Sequence, residues 1–170
     1  PSRGLGDVYK RQLIRDRYLP RLRRVEYFYE YSELRTLNKD EIDALYKKDP
    51  QKLTASEFWS YIMSQKDATD EKREALYREA LSIHPDLMIA ANNLASLLIK
   101  QNRADTTLLK PFITQDAPSA ILVNQTVAYL QKRDFKRANH FAELLPDNKD
   151  TEIVKALAAA MDGKYQEAYP

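Results

Sequence analysis

From Asn38 onward, apolar residues recur at helical spacing, and the breaks between the stretches carry cap and stop residues. Asn38 or Thr36 caps a first helix through "KDEIDALYKK", acidic at its start, basic at its end and stopped by Pro50. Thr54 caps "ASEFWSYIMSQ", with Glu57 at the capping-box position. Thr69 caps "DEKREALYREALSIH", which Pro85 stops and in which Leu76, Tyr77, Ala80, Leu81 and Ile83 form the apolar stripe. A further helix is "DLMIAANNLASLLIKQ", and others start near Ala104, Ser119, Asp134 and Thr151.

Before Asn38 the period changes. Val25, Tyr27, Tyr29 and Tyr31 alternate with Arg24, Glu26, Phe28 and Glu30, which predicts a strand. A lone strand cannot satisfy its own backbone, and no later segment reads as a partner for it. The fold class expected is mainly α: short helical hairpins in a solenoid, with one N-terminal β-strand.

The helices are short and paired, and three segments align: "NLASLLIKQNRADTTLL", "QTVAYLQKRDFKRANHF" and "KALAAAMDGKYQEAYP". Each reads as an apolar helix, a polar turn and the start of a second helix. With Asn102, Arg133 and Gly163 as equivalent turn positions, the spacings are 31 and 30 residues. Tyr77, Ala80, Leu81 and Pro85 match a second-helix pattern; Leu94, Ala95 and Leu98 match the first helix of the next unit. Phe135 with Ala138, and Gly163, Tyr165 and Ala168, match the turn into a second helix, and Trp59 takes the first-helix aromatic position. Over roughly residues 54–170 the chain thus resembles tetratricopeptide repeats, whose period is about 34 residues. Thr107, Pro111 and Pro146 depart from that pattern.

Arg23-Arg24-Val25-Glu26 resembles the terminal strand of outer-membrane-protein-A-like peptidoglycan-binding domains, over about residues 13–31. Nothing here matches that family's ligand-contacting aspartate and arginine. The first twelve residues, "PSRGLGDVYKRQ", look like a translated adapter sequence found at the ends of metagenomic proteins. The domain reading is therefore an artefactual or disordered stretch at 1–12 and a remnant strand at 13–35. A helical repeat domain truncated at its C-terminus follows at 36–170. The combination is similar to bacterial envelope proteins of unassigned activity.

Composition narrows the chemistry. The 170 residues are 44% hydrophobic and 31% charged, with only three glycines, which suits a helical globular chain. No apolar run reaches the roughly 18 to 20 residues of a membrane helix, and the first twenty residues show no signal-peptide core. Without cysteine there is no thiolate catalysis and no cysteine-ligated zinc. Residues 1–24 carry eight basic side chains against Asp7 and Asp16, while residues 13–170 are formally neutral, so charge gives no nucleic-acid argument.

His84 and His140 are isolated, and neither a metalloprotease, a phosphate-loop nor a nucleophile-elbow motif is present. Runs such as "DATDEKRE" read as solvated helix pairs. Asn124-Gln125-Thr126 fits a glycosylation sequon but falls inside a predicted helix. The expectation is a non-enzymatic chain with no catalytic residue, metal or cofactor. The remaining chemistry is binding: stacked helix pairs present a concave surface for an extended peptide. The candidate lining residues are Asn92, Asn93, Ser96, Lys100, Asn124 and Gln125, with Ala128 beside them, since asparagine amides can bracket a peptide backbone.

The function expected is a protein–protein interaction or scaffold module of a bacterial cell-envelope protein, periplasmic or outer-membrane associated. Its partner is a protein or peptide, with the cell wall reached through an upstream domain, no nucleic acid and no membrane span. The alternatives are a structural spacer behind a peptidoglycan-binding domain and a cytoplasmic tetratricopeptide adaptor.

Overall fold

The computed structural model describes residues 35–168. The expected strand at Arg24–Tyr31 and the stretch 1–12 lie outside the described residues. Seven α-helices fill most of the described chain: α1 Lys39–Lys48, α2 Ala55–Ser64, α3 Asp70–Ile83, α4 Met88–Lys100, α5 Ser119–Gln131, α6 Phe135–Glu143 and α7 Glu152–Ala168. Among the described residues there is no strand. Their contacts fall into two compact units, residues 35–97 and residues 98–168.

In the first unit the helix starts follow from their caps. The Asn38 side chain accepts from the Glu41 N–H at 3.0 Å, and the Glu41 carboxylate accepts from the Asn38 N–H at 2.8 Å. Thr54 and Glu57 repeat that reciprocal box at α2, at 3.3 and 2.9 Å. Each box satisfies two helix-end N–H groups that would otherwise have no intrahelical partner. Thr69 accepts from the Lys72 N–H at the start of α3. Pro50 opens a short 3₁₀ turn, Pro50–Lys52, which carries the chain from α1 into α2. The α1–α2 and α2–α3 pairs pack together. Phe58 lies fully buried between them with its ring edge-on to Tyr46, centroids 5.6 Å apart. Burying such a ring contributes about 2–3 kcal/mol.

The second unit is built on α5, in which every residue from Ala120 to Leu130 is buried. Helices α6 and α7 pack against it and against each other. The shared core includes Val123, Val127, Phe135, Ala138, Val154 and Ala158. Alanines at Ala138 and Ala158, both 0% exposed, allow close helix approach.

Two turns in this unit have the same construction. Asn102 after α4 and Arg133 after α5 both take positive φ, 58° and 61°. In each, the N–H of the left-handed residue reaches back three positions (Asn102 to Ile99 O, Arg133 to Leu130 O). The next N–H reaches back five (Arg103 to Leu98 O, Asp134 to Tyr129 O). This double closure satisfies helix-end carbonyls and turns the chain sharply.

Two expectations are corrected. No α-helix begins near Ala104: residues 101–118 hold only the 3₁₀ turn Lys110–Phe112. The Asp105 carboxylate captures the Thr107 N–H and hydroxyl, an Asx turn that competes with helix, and Pro111 and Pro118 remove donors. Gly163 is not a turn, because α7 runs through it without a positive φ. The alanine-rich sequence before it has enough helix propensity to carry one glycine.

Candidate functional site

The candidate residues on α4 separate by their angle around the helix. Successive residues turn by about 100°, so Asn93, Ser96 and Lys100 fall on one stripe and Asn92 on another. Asn93 and Ser96 are half-buried and Lys100 is exposed. Asn92 is only 4% exposed, so it does not line an accessible surface. Asn124 and Gln125 are buried too, at 4% and 0%, within α5. The concave-surface assignment of Asn92, Asn124 and Gln125 is corrected accordingly: these amides serve the interior.

Gln125 shows what such an amide does. Its Nε2 donates to the Thr106 carbonyl at 2.8 Å. Two turns later on the same helix the Gln131 Nε2 donates to the Ile99 carbonyl at 2.7 Å. Together they fasten the chain between the end of α4 and the Asx turn onto α5. Thr126 donates to the Leu122 carbonyl within its own helix at 2.7 Å. Asn124, the sequon residue, is shut away from any glycosylating enzyme in this fold.

Asn93 has a different setting. It shares a side-chain hydrogen bond with Tyr77 on α3. Burial pushes the Tyr77 phenol up from its ordinary pKa, while Arg73 and the Asn93 bond pull the other way. The Tyr77 ring lies near-parallel to Trp59 on α2, centroids 6.3 Å apart. Trp59 is half-buried, and Met63, one turn further along α2, is 54% exposed. Three helices thus gather the half-buried Asn93 amide, the buried Tyr77 phenol and the half-buried Trp59 indole, with Met63 exposed one turn from Trp59. A half-buried indole offers apolar contact together with an N–H donor, a combination enriched at interfaces.

A second cluster in this unit was not anticipated from the sequence. Tyr46 and Tyr61 stack with centroids 3.8 Å apart, and the Tyr46 hydroxyl donates to the Glu79 carboxylate at 2.5 Å. Burial and then Glu79 push the Tyr46 phenol well above its ordinary range. Tyr61 is raised as well, by burial and by the charges of Asp43 and Glu79. The only sequence signal was the tyrosines' place on the apolar stripes of α1 and α2, which reads as core.

Among the described residues Glu57 is the one buried carboxylate. Its oxygens accept from Arg35 Nε at 3.0 Å, from Arg35 Nη2 and from the Thr54 N–H. Burial alone would push its carboxyl up, but the Arg35 and Thr54 bonds outweigh that and leave it lowered. His84, whose Nε2 lies 2.8 Å from the Leu53 carbonyl, pins the loop ahead of α2. His140 is exposed on α6 beside Phe141. Among the described residues no three His, Asp or Glu side chains gather as a metal site. No helix there is long and apolar enough to cross a membrane.

Neither protein-family models, nor curated proteins, nor solved structures match this chain when compared with it.

Proposed function

We propose that this chain is a non-enzymatic helical-repeat interaction module, in which paired helices form a short tetratricopeptide-like array and hold a protein or peptide partner. The observation that carries the reading is the pair of matched left-handed turns at Asn102 and Arg133. They lie 31 residues apart, with the same back-bonded closure at the end of a buried helix. A recurring turn at a recurring interval is how a repeat array builds one unit on the last. The packing of α5, α6 and α7, each against the other two, adds to it. In this reading the partner lies along the Asn93–Ser96 stripe and the neighbouring Trp59 face. The bacterial cell envelope is the setting that the Arg23-Arg24-Val25-Glu26 resemblance suggests.

A displayed library of random peptides, selected against the full chain, tests the reading. Enriched peptides should share a consensus, and Asn93→Ala should weaken them about tenfold, the scale of one good buried hydrogen bond. A selection that enriches nothing over an unrelated helical protein would overturn it.

A further inference from the structure

Cations gather at one end of α6, whose start the Asp134 carboxylate caps by accepting from the Arg137 N–H at 3.2 Å. Asp/Glu ordinarily occupy the first turn of a helix, where the dipole is positive. Here the first turn of α6 has no acidic residue and instead carries Lys136 and Arg137. Immediately before it stand Lys132 and Arg133, in the left-handed turn that closes α5. All four cations are exposed. Asp134 is the only acid among them, giving this six-residue stretch a formal charge of +3 within residues 13–170, which are neutral in sum.

Two of the four are partly occupied. Arg137 Nη1 reaches the Asp134 carboxylate at 2.6 Å, and the Arg133 guanidinium stands 5.8 Å over the Phe135 ring. Lys132 and Lys136 have no ion-pair partner among the described residues; Lys132 closes α5 and Lys136 lies in the first turn of α6. The positive zone is short. Helix α6 has nine residues, about 13 Å, and its far end carries Glu143, followed by Asp147 and Asp150. The chain therefore changes sign within one helix length.

We infer that the Lys132–Arg137 edge is a docking point for a short acidic segment of a partner protein. This deepens the proposed binding role and rests on it. The choice among anions follows from the dimensions. Nucleic acid presents charge at regular intervals over many phosphates, and an extended backbone would run from this zone into Glu143 and Asp147. Neither phenylalanine of α6 offers a base a free platform: Phe135 is buried, and Phe141 is half-buried against Tyr129 at 5.5 Å. A membrane surface calls for an apolar face as well as cations, and the α6 apolar face, Phe135, Ala138 and Ala142, is already in the core. A few carboxylates in a row match the size of the zone, and Asp134 on Arg137 shows the geometry in miniature.

Fluorescence anisotropy of a labelled oligoglutamate peptide, titrated with the full chain at low salt, tests this. Binding should weaken steeply as salt is added, and Lys132→Glu with Lys136→Glu should lower affinity at least about tenfold. The same pair changed to Gln should fall between the two. Reversal at Lys136 removes an unfavourable charge from the start of α6, while reversal at Lys132 puts an acid at the end of α5, so thermal melting is compared with the parent for each variant and the Gln pair is the folded control. Absence of oligoglutamate binding, or equal binding by parent and reversed variant, would overturn the inference. Tighter, charge-dependent binding of phosphatidylglycerol vesicles or single-stranded DNA than of oligoglutamate would overturn it too. Peptides selected on the Asn93 face are read separately, so this edge can fail while the binding role stands.

Discussion

Replacing Glu57 tests the way the first unit is anchored. The carboxylate is 6% exposed and holds three hydrogen bonds, two from Arg35 and one from the Thr54 N–H. Hydrogen bonds to a charged group contribute about 1.5–3 kcal/mol when both partners are buried. The Arg35 side chain is 49% exposed, so solvent screening brings the ion pair down to about 1 kcal/mol. The Thr54 bond is half of a capping box and contributes about 0.5–1 kcal/mol. Glu57→Gln keeps an acceptor for Thr54 and loses the ion pair, so it should cost about 1 kcal/mol. Glu57→Ala loses both, together with about 1 kcal/mol of buried methylene, and should cost about 3 kcal/mol. In a chain of this size each kcal/mol lowers the melting temperature by about 2–4 °C.

The pH dependence carries the sharper test. A carboxyl with a lowered folded pKa stabilises the fold fully above its unfolded value, about 4.3, and loses that contribution as pH falls through the folded value. Urea midpoints of the parent and of Glu57→Gln, followed by far-UV circular dichroism, should therefore differ by a constant amount above about pH 4.3. Below it the two curves should converge. Parallel curves down to the acid limit would refute the reasoning, because the parent's advantage would then not depend on the ionised carboxylate.

Other outcomes follow from single positions. Gly163→Ala should raise stability by about 1 kcal/mol in urea unfolding, since Gly163 lies within α7 and an added methyl meets nothing within 4 Å. A loss of stability there would restore the turn that the sequence suggests. Tyr46→Phe should cost about 1 kcal/mol through its bond to Glu79, measured in the same way, while the near-ultraviolet dichroism of the Tyr46–Tyr61 stack persists.

The parts of the fold legible in the sequence are those with local causes. Asn38, Thr54 and Thr69 are found as caps because a side chain three residues from an orphan N–H decides the helix start. Pro50 and Pro85 end helices because they lack a donor. The second-unit spacing was visible in Asn102 and Arg133, although only the folded chain shows the left-handed backbone there. The helix expected from Ala104 fails because Asp105 can satisfy Thr107 more cheaply than a helix can. That competition is invisible to periodicity.

The candidate site was legible only in part. Asn92 and Asn93 are neighbours in sequence, yet one is buried and the other shares a bond with Tyr77. A polar residue on an almost wholly buried helix looks like surface until its angle to the core is known. Gln125 illustrates this, since its role as a donor to Thr106 depends on a loop nineteen residues earlier.

The most direct test of the binding role is a map of where a selected peptide lands. Nuclear magnetic resonance of the isotopically labelled full chain, titrated with a peptide from the random-library selection, should shift the amides around Asn93 and Ser96 and the Trp59 indole. Shifts confined to helices away from α2 and α4, or none at saturating peptide, would contradict the account.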